Sequence, residues 1–176
     1  MRKLGLQVTA LTILVTALVL TFAVTSATAR DDHSREARAR LDGFQETPTL
    51  STTGHGQFRA KINETSIEYT LTYADLEGAT TQAHIHLGRP AIAGGVSAFL
   101  CGGAPPASNK AACPNKEGTV TGTIVASDVI GPTGQGIAAG EFDELVRAIR
   151  ASATYANVHT DKYPGGEIRG RILIEN

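Results

Sequence analysis

Between Ser66 and Tyr73 apolar and polar residues alternate without a break. Ile67, Tyr69, Leu71 and Tyr73 fall on one side of an extended chain, and Glu68, Thr70 and Thr72 fall on the other. A period of two is the pattern of a β-strand with one covered face, and half-buried strands belong to antiparallel sheets. The same pattern precedes it in Gly54–Ile62, where Phe58, Ala60 and Ile62 share a side. The intervening Asn63-Glu-Thr is the length of a hairpin connection. Leu41–Pro48 reads as a first strand ending at a proline, and Gly95–Leu100 and the threonine-rich Gly118–Val125 read as further strands. One segment has a different period. In Glu141–Arg150, Phe142, Leu145, Val146 and Ile149 recur at helical spacing, with acidic residues in the first turn and Arg147 and Arg150 toward the end, as the helix dipole favours. The expected fold is all-β: about eight short antiparallel strands and one short helix, arranged as an immunoglobulin-like or superoxide-dismutase-like Greek-key sandwich or barrel.

The first 29 residues read as a secretory signal peptide. Arg2 and Lys3 precede an uncharged apolar and threonine-rich run, Leu4–Val24, which ends in Ala27-Thr-Ala29; basic start, apolar middle and small-residue exit are what a signal peptidase needs. Residues 30–38, charged and alanine-rich, are expected to form a flexible leader, with His33 solvated. Residues 39–176 then form one domain. The protein is accordingly expected to be secreted or extracytoplasmic, with no stable membrane span after cleavage. Of the 16 Lys and Arg residues two lie in the signal segment, leaving 14 against 17 Asp and Glu. That scattered, mildly acidic balance offers no footprint for nucleic acid or an anionic membrane. The two cysteines, Cys101 and Cys113, imply a disulfide in an exported chain. Its closure is worth about 3 kcal/mol in the chain-entropy model.

The chemistry-bearing residues cluster by strand parity. In Gln82–Gly88, Ala83, Ile85 and Leu87 share one face, and His84 and His86 the other. In the closing hairpin Ala156 and Val158 oppose Tyr155, Asn157 and His159; on the returning strand Ile168, Ile172 and Ile174 oppose Glu167, Arg169 and Arg171. Pro164-Gly165 fits the centre of a type II turn between them. If the apolar faces make the core, three histidines, a glutamate and an arginine point away from it, with His159 and Glu167 as approximate cross-strand neighbours. Two imidazoles in H-x-H stand about 6–7 Å apart at the backbone. His159 completes a three-nitrogen set for zinc or copper, with Glu167 as ligand or support and Arg169 and Asn157 completing the polar face. The plainer reading is a solvated sheet face whose side chains only hydrogen-bond to one another, each pair contributing under ~1 kcal/mol.

Four stretches, Leu41-Asp-Gly-Phe-Gln-Glu-Thr-Pro48, Ala83-His-Ile-His-Leu-Gly88, Gly95-Val-Ser-Ala-Phe-Leu100, and Tyr155-Ala-Asn-Val-His-Thr160 with Pro164-Gly-Gly-Glu-Ile-Arg-Gly170, resemble the CHRD domain. This is the module repeated in the animal protein chordin and found alone in exported bacterial proteins. The resemblance spans nearly the whole mature chain. It implies an immunoglobulin-like sandwich or barrel, an extracellular setting and no established enzymatic activity. The family often has a G-x-x-G-x-x-G-like turn after H-x-H; in Gly88-Arg-Pro-Ala-Ile-Ala-Gly-Gly95 the middle glycine is missing. The H-x-H strand also resembles copper–zinc superoxide dismutases, whose two-metal set needs more histidines than the five in this chain.

The chain has no G-x-S-x-G, no H-E-x-x-H, no paired carboxylates and no phosphate-cradling loop. The expected function is therefore a non-enzymatic exported binding or structural module. Its histidine face would take a metal (copper or zinc), a small ligand or an extracellular protein. A copper- or zinc-dependent redox enzyme related in fold to superoxide dismutase is the alternative.

Overall fold

The computed structural model describes residues 36–175. The signal-peptide reading, the first residues of the leader and His33 lie outside them. Nine antiparallel strands form a single sheet: β1 (Glu36–Asp42), β2 (His55–Ile62), β3 (Ile67–Ala74), β4 (Thr80–Leu87), β5 (Gly95–Gly102), β6 (Gly118–Ile124), β7 (Thr154–Thr160), β8 (Ile168–Arg171) and β9 (Leu173–Ile174). The order across it is β5-β4-β7-β8-β1-β2-β3-β6, with the short β9 beside β1. The sheet curls until β5 and β6 lie side by side, which makes an eight-stranded, nearly closed barrel with one short helix, α1 (Phe142–Arg150).

Parity holds wherever the sequence pattern is clean. Phe58, Ile62, Ile67, Leu71, Tyr73, Ala83, Ile85, Ala156, Val158, Ile168 and Ile172 are all buried in one core. The register β2–β3 runs unbroken from His55↔Ala74 to Ile62↔Ile67, closed by the turn at Asn63–Ser66. Helix α1 buries the four residues its period selects, Phe142, Leu145, Val146 and Ile149. Burying such side chains stabilises a fold by about 1.5–3 kcal/mol each before entropy is counted, so each strand and the helix is fixed by its apolar stripe rather than by local propensity.

Three local expectations are corrected. Residues 36–38, assigned to the leader, belong to β1, which pairs with β2 from Glu36↔Lys61 to Asp42↔His55. Its inward residues are Ala37, Ala39 and Leu41; alanines fill the barrel interior without producing a strongly apolar pattern. The strand ends at Asp42 instead of running to Pro48, because Gly43–Gln45 turns into a 3₁₀ segment capped by the Asp42 carboxylate, which accepts from the Gln45 N–H at 3.1 Å. The hairpin turn Tyr163–Gly166 closes with Gly166 N–H donating to Tyr163 O at 3.0 Å. Its positive φ is at Gly166 and not at Gly165, so the turn is not type II.

Cys101 and Cys113 are joined, with Cα atoms 5.1 Å apart. The loop they close fills the gap between the edge strands: Gly102 N–H donates to Ala111 O, and Lys110 reaches Thr123 O on β6 and pairs with Asp128. Tyr69 adds a tie from β3 to β5, its hydroxyl donating to Leu100 O at 2.6 Å. No helix among the described residues is long and apolar enough to cross a membrane.

Candidate metal centre

The face of β4, β7 and β8 opposite the core carries the polar residues that parity places there, but it is not solvated. His84, His86 and His159 are 3, 7 and 6% exposed; Asn157, Glu167 and Arg169 are equally buried. Strand β7 is covered along all seven residues. The cover comes from the segment after β1, the turn after β4, and the side chain of Phe99. The expected open sheet face is therefore a second buried layer. Contacts typical of surface pairs do not describe it, because polar groups buried in such a layer need partners.

The register brings the histidines together. His84 faces Asn157 across the ladder, and Gln82 faces His159, so His84 and His159 are diagonal neighbours on the outer side. Their rings lie 4.7 Å apart, and His86 stands 5.3 Å from His84 and 5.8 Å from His159. One ligand nitrogen from each of the three lies within 4.8 Å of the others.

The protons on these rings follow from their partners. His86 Nδ1 is 2.9 Å from Gly94 O, and His159 Nδ1 is 2.9 Å from Pro164 O. A carbonyl only accepts, so both nitrogens carry hydrogen and both Nε2 atoms hold lone pairs. His159 Nε2 in turn receives the Nδ1–H of His84 at 3.2 Å. Nε2 of His84 and of His86 are fully buried with no hydrogen-bond partner in the protein. Gly94 makes the first of these contacts possible: a Cβ there would stand 1.8 Å from Leu87 O.

Burial is the main reason these rings stay neutral. It pushes His84 down to about 3, with further lowering by His159 and His86. It pushes His86 down to about 4 against the opposing pull of the Gly94 carbonyl, and the charges of His159 and Arg169 lower it further. His159 is lowered for the same reason, with the Pro164 carbonyl opposing and Arg169 adding to the shift. Neutral imidazoles with ring orientation set by a backbone acceptor are the form that ligates metals. The 3.2 Å between His84 Nδ1 and His159 Nε2 is close to the about 3.3 Å that two nitrogen ligands of a tetrahedral zinc adopt.

Glu167 is not part of this group. Its carboxylate accepts from Thr52 Oγ1 and Thr160 Oγ1, each at 2.8 Å, and from the N–H groups of Glu77 at 2.7 Å and Gly78 at 3.3 Å. It ties the β7–β8 hairpin to two loops, and each of its two oxygens already accepts two hydrogen bonds. Those four hydrogen bonds give it a structural role. Nor does it pair with Arg169 or Lys162; Lys162 pairs with Glu77.

Arg169 belongs to a separate chain of contacts. Its Nε donates to Glu46 at 2.6 Å, its Nη1 to Ile92 O at 3.1 Å, and its guanidinium lies 4.5 Å over the Tyr155 ring. The Tyr155 ring also stacks parallel on His86 at 4.8 Å, and its hydroxyl accepts from Gly94 N–H. Asn157 donates to Glu46 at 2.7 Å and to Ile168 O at 2.9 Å. Burial raises the Glu46 carboxyl, and Arg169 and Asn157 oppose that shift. With two donors aimed at it, the carboxylate is held as the anion of a buried ion pair.

Sequence reasoning missed Glu46, Phe99 and Tyr155 as parts of the site. Tyr155 was accessible to it, since it shares parity with His159. Glu46 sits in an irregular segment 123 residues from Arg169, and no periodicity points to it. His55 lies apart, exposed beside Asp75.

A comparison with curated proteins finds no match. A family model does match, and it covers residues 37–172, from β1 through the strand that follows the closing hairpin. The chain belongs to the CHRD domain family.

Proposed function

We propose that this CHRD domain is an exported, non-enzymatic module that holds one transition-metal ion, zinc or copper, with His84, His86 and His159. One observation carries the reading. Two of the three rings have Nδ1–H tied to backbone carbonyls, and two buried Nε2 atoms lack any partner. An unpaired polar atom in a dry layer costs about 1–3 kcal/mol, and two of them on one strand, β4, are an expensive arrangement unless an electrophile accepts them. The disulfide and the signal-like N-terminal segment support export, since disulfides persist in oxidising compartments.

The test is calorimetric titration of zinc and copper into chelator-treated protein. The reading predicts one ion per chain and loss of that binding in a His84→Ala, His86→Ala double variant. Equal heats for the variant and the parent would refute it. Superoxide dismutation measured on the metal-loaded protein separates the module from a redox enzyme: background rates fit the module, and metal-dependent turnover fits the enzyme.

A further inference from the structure

The character of the three-histidine pocket discriminates between metals, and this step rests on the metal-binding reading above. We infer that the site is built for a monovalent, three-coordinate cuprous ion and not for a divalent one. The donor set contains no carboxylate. Glu167 is fully engaged by four donors, and Glu46 is held by Arg169 and Asn157. A dication bound by three neutral imidazoles would bring two charges into a buried layer with no anion to offset them, which is costly. Arg169, over the Tyr155 ring, is already neutralised by Glu46, so that ion pair offers no net charge to offset a bound dication.

The coordination number points the same way. Zinc takes four ligands, the fourth often a water, and divalent copper prefers a tetragonal set. Two aromatic rings flank these histidines: Phe99 stands perpendicular to His84 at 4.5 Å, and Tyr155 lies flat on His86. Phe99 is in turn closed over by the disulfide loop, where a Cβ at Gly103 would come within 2.5 Å of its ring. Phe99 offers no fourth donor, and the Tyr155 hydroxyl is already engaged by the Gly94 N–H. A monovalent copper ion held by three imidazole nitrogens needs no fourth donor from these walls.

The experiment is a pair of anaerobic competition titrations of the purified protein, one of cuprous ion against a colorimetric cuprous chelator and one of zinc against a fluorescent zinc chelator. X-ray absorption is then recorded on the copper-loaded protein. The expected result is one cuprous ion per chain, bound about 100-fold or more tighter than zinc, with three nitrogen neighbours. A Phe99→Ser variant, which admits a polar fourth position, is expected to narrow that preference by about tenfold or more. Zinc bound as tightly as cuprous ion, or a fourth oxygen ligand on copper, would overturn the inference and leave the three-histidine site standing. Failure of both ions to bind would remove the site itself.

Discussion

Nδ1 of His84 lies 3.2 Å from Nε2 of His159, inside a layer where both side chains are almost fully covered. The contact links strands β4 and β7, which are also hydrogen-bonded to each other along their length, so it is not needed to hold them together. Its direction is set elsewhere: Pro164 O fixes the proton of His159 on Nδ1, and His84 must then be the donor. On the reading proposed above, a metal ion would replace this one hydrogen bond and at the same time take up the unpartnered Nε2 of His86.

Acid should weaken the metal-free fold through these rings. Their folded-state values lie below the ordinary 6.5, at about 3 for His84 and about 4 for His86, with His159 also lowered. Above 6.5 neither folded nor unfolded rings carry a proton, and the contribution is constant. As pH falls below 6.5 the unfolded chain takes up protons that the folded one refuses, so stability drops until the folded values are reached, by about 1.4 kcal/mol per pH unit for each such histidine. Urea midpoints should be flat from pH 8 to 7 and fall steadily toward pH 4.5. Saturating metal should delay that fall, because bound rings do not accept protons. A midpoint independent of pH over this range would mean the rings are not buried as described.

Glu167 should matter for stability and not for metal. Replacing it with alanine strips partners from two backbone N–H groups and two hydroxyls, and we expect a loss of about 3 kcal/mol or more. Glu167→Gln keeps acceptor capacity in one oxygen and should lose less. Both variants, where folded by circular dichroism, should bind one ion with parental affinity. Loss of metal with the melting temperature intact would restore Glu167 as a ligand.

The turn after β4 carries a correctable strain. Ala91 adopts a φ of 63° in the turn closed by Ile92 N–H to Arg89 O, and a left-handed backbone costs a residue with a Cβ roughly 1–2 kcal/mol. It occupies the place of the missing middle glycine between Gly88 and Gly94. Ala91→Gly should therefore raise stability, by about 0.5–1 kcal/mol once the added freedom of the unfolded chain is deducted. A thermal melt of lower midpoint than the parent would show that the methyl group contributes packing that outweighs the strain.

What could be read in the sequence divides along physical lines. The alternation in β3 and the helical period of α1 named their buried residues correctly, because each is a local pattern imposed by one apolar surface. Parity likewise put His84, His86, His159, Asn157, Glu167 and Arg169 on one side of the sheet. Their burial was not legible, since the cover is supplied by Glu46, Thr52 and Gly94 from irregular segments. The start of strand β1 is not legible in the sequence because alanine is a weak hydrophobic signal. Sharing a face with the histidines does not fix which way the long Glu167 side chain turns; four donors from three segments hold its carboxylate.

The most direct test of the histidine site is a crystal structure of the metal-loaded protein with anomalous data collected on both sides of the absorption edge of the metal. The account predicts one strong peak per chain within about 2.0–2.2 Å of a ring nitrogen from each of His84, His86 and His159, with Glu167 still bound to Thr52 and Thr160. A peak at the exposed His55, or no ordered metal between the three rings, would contradict it.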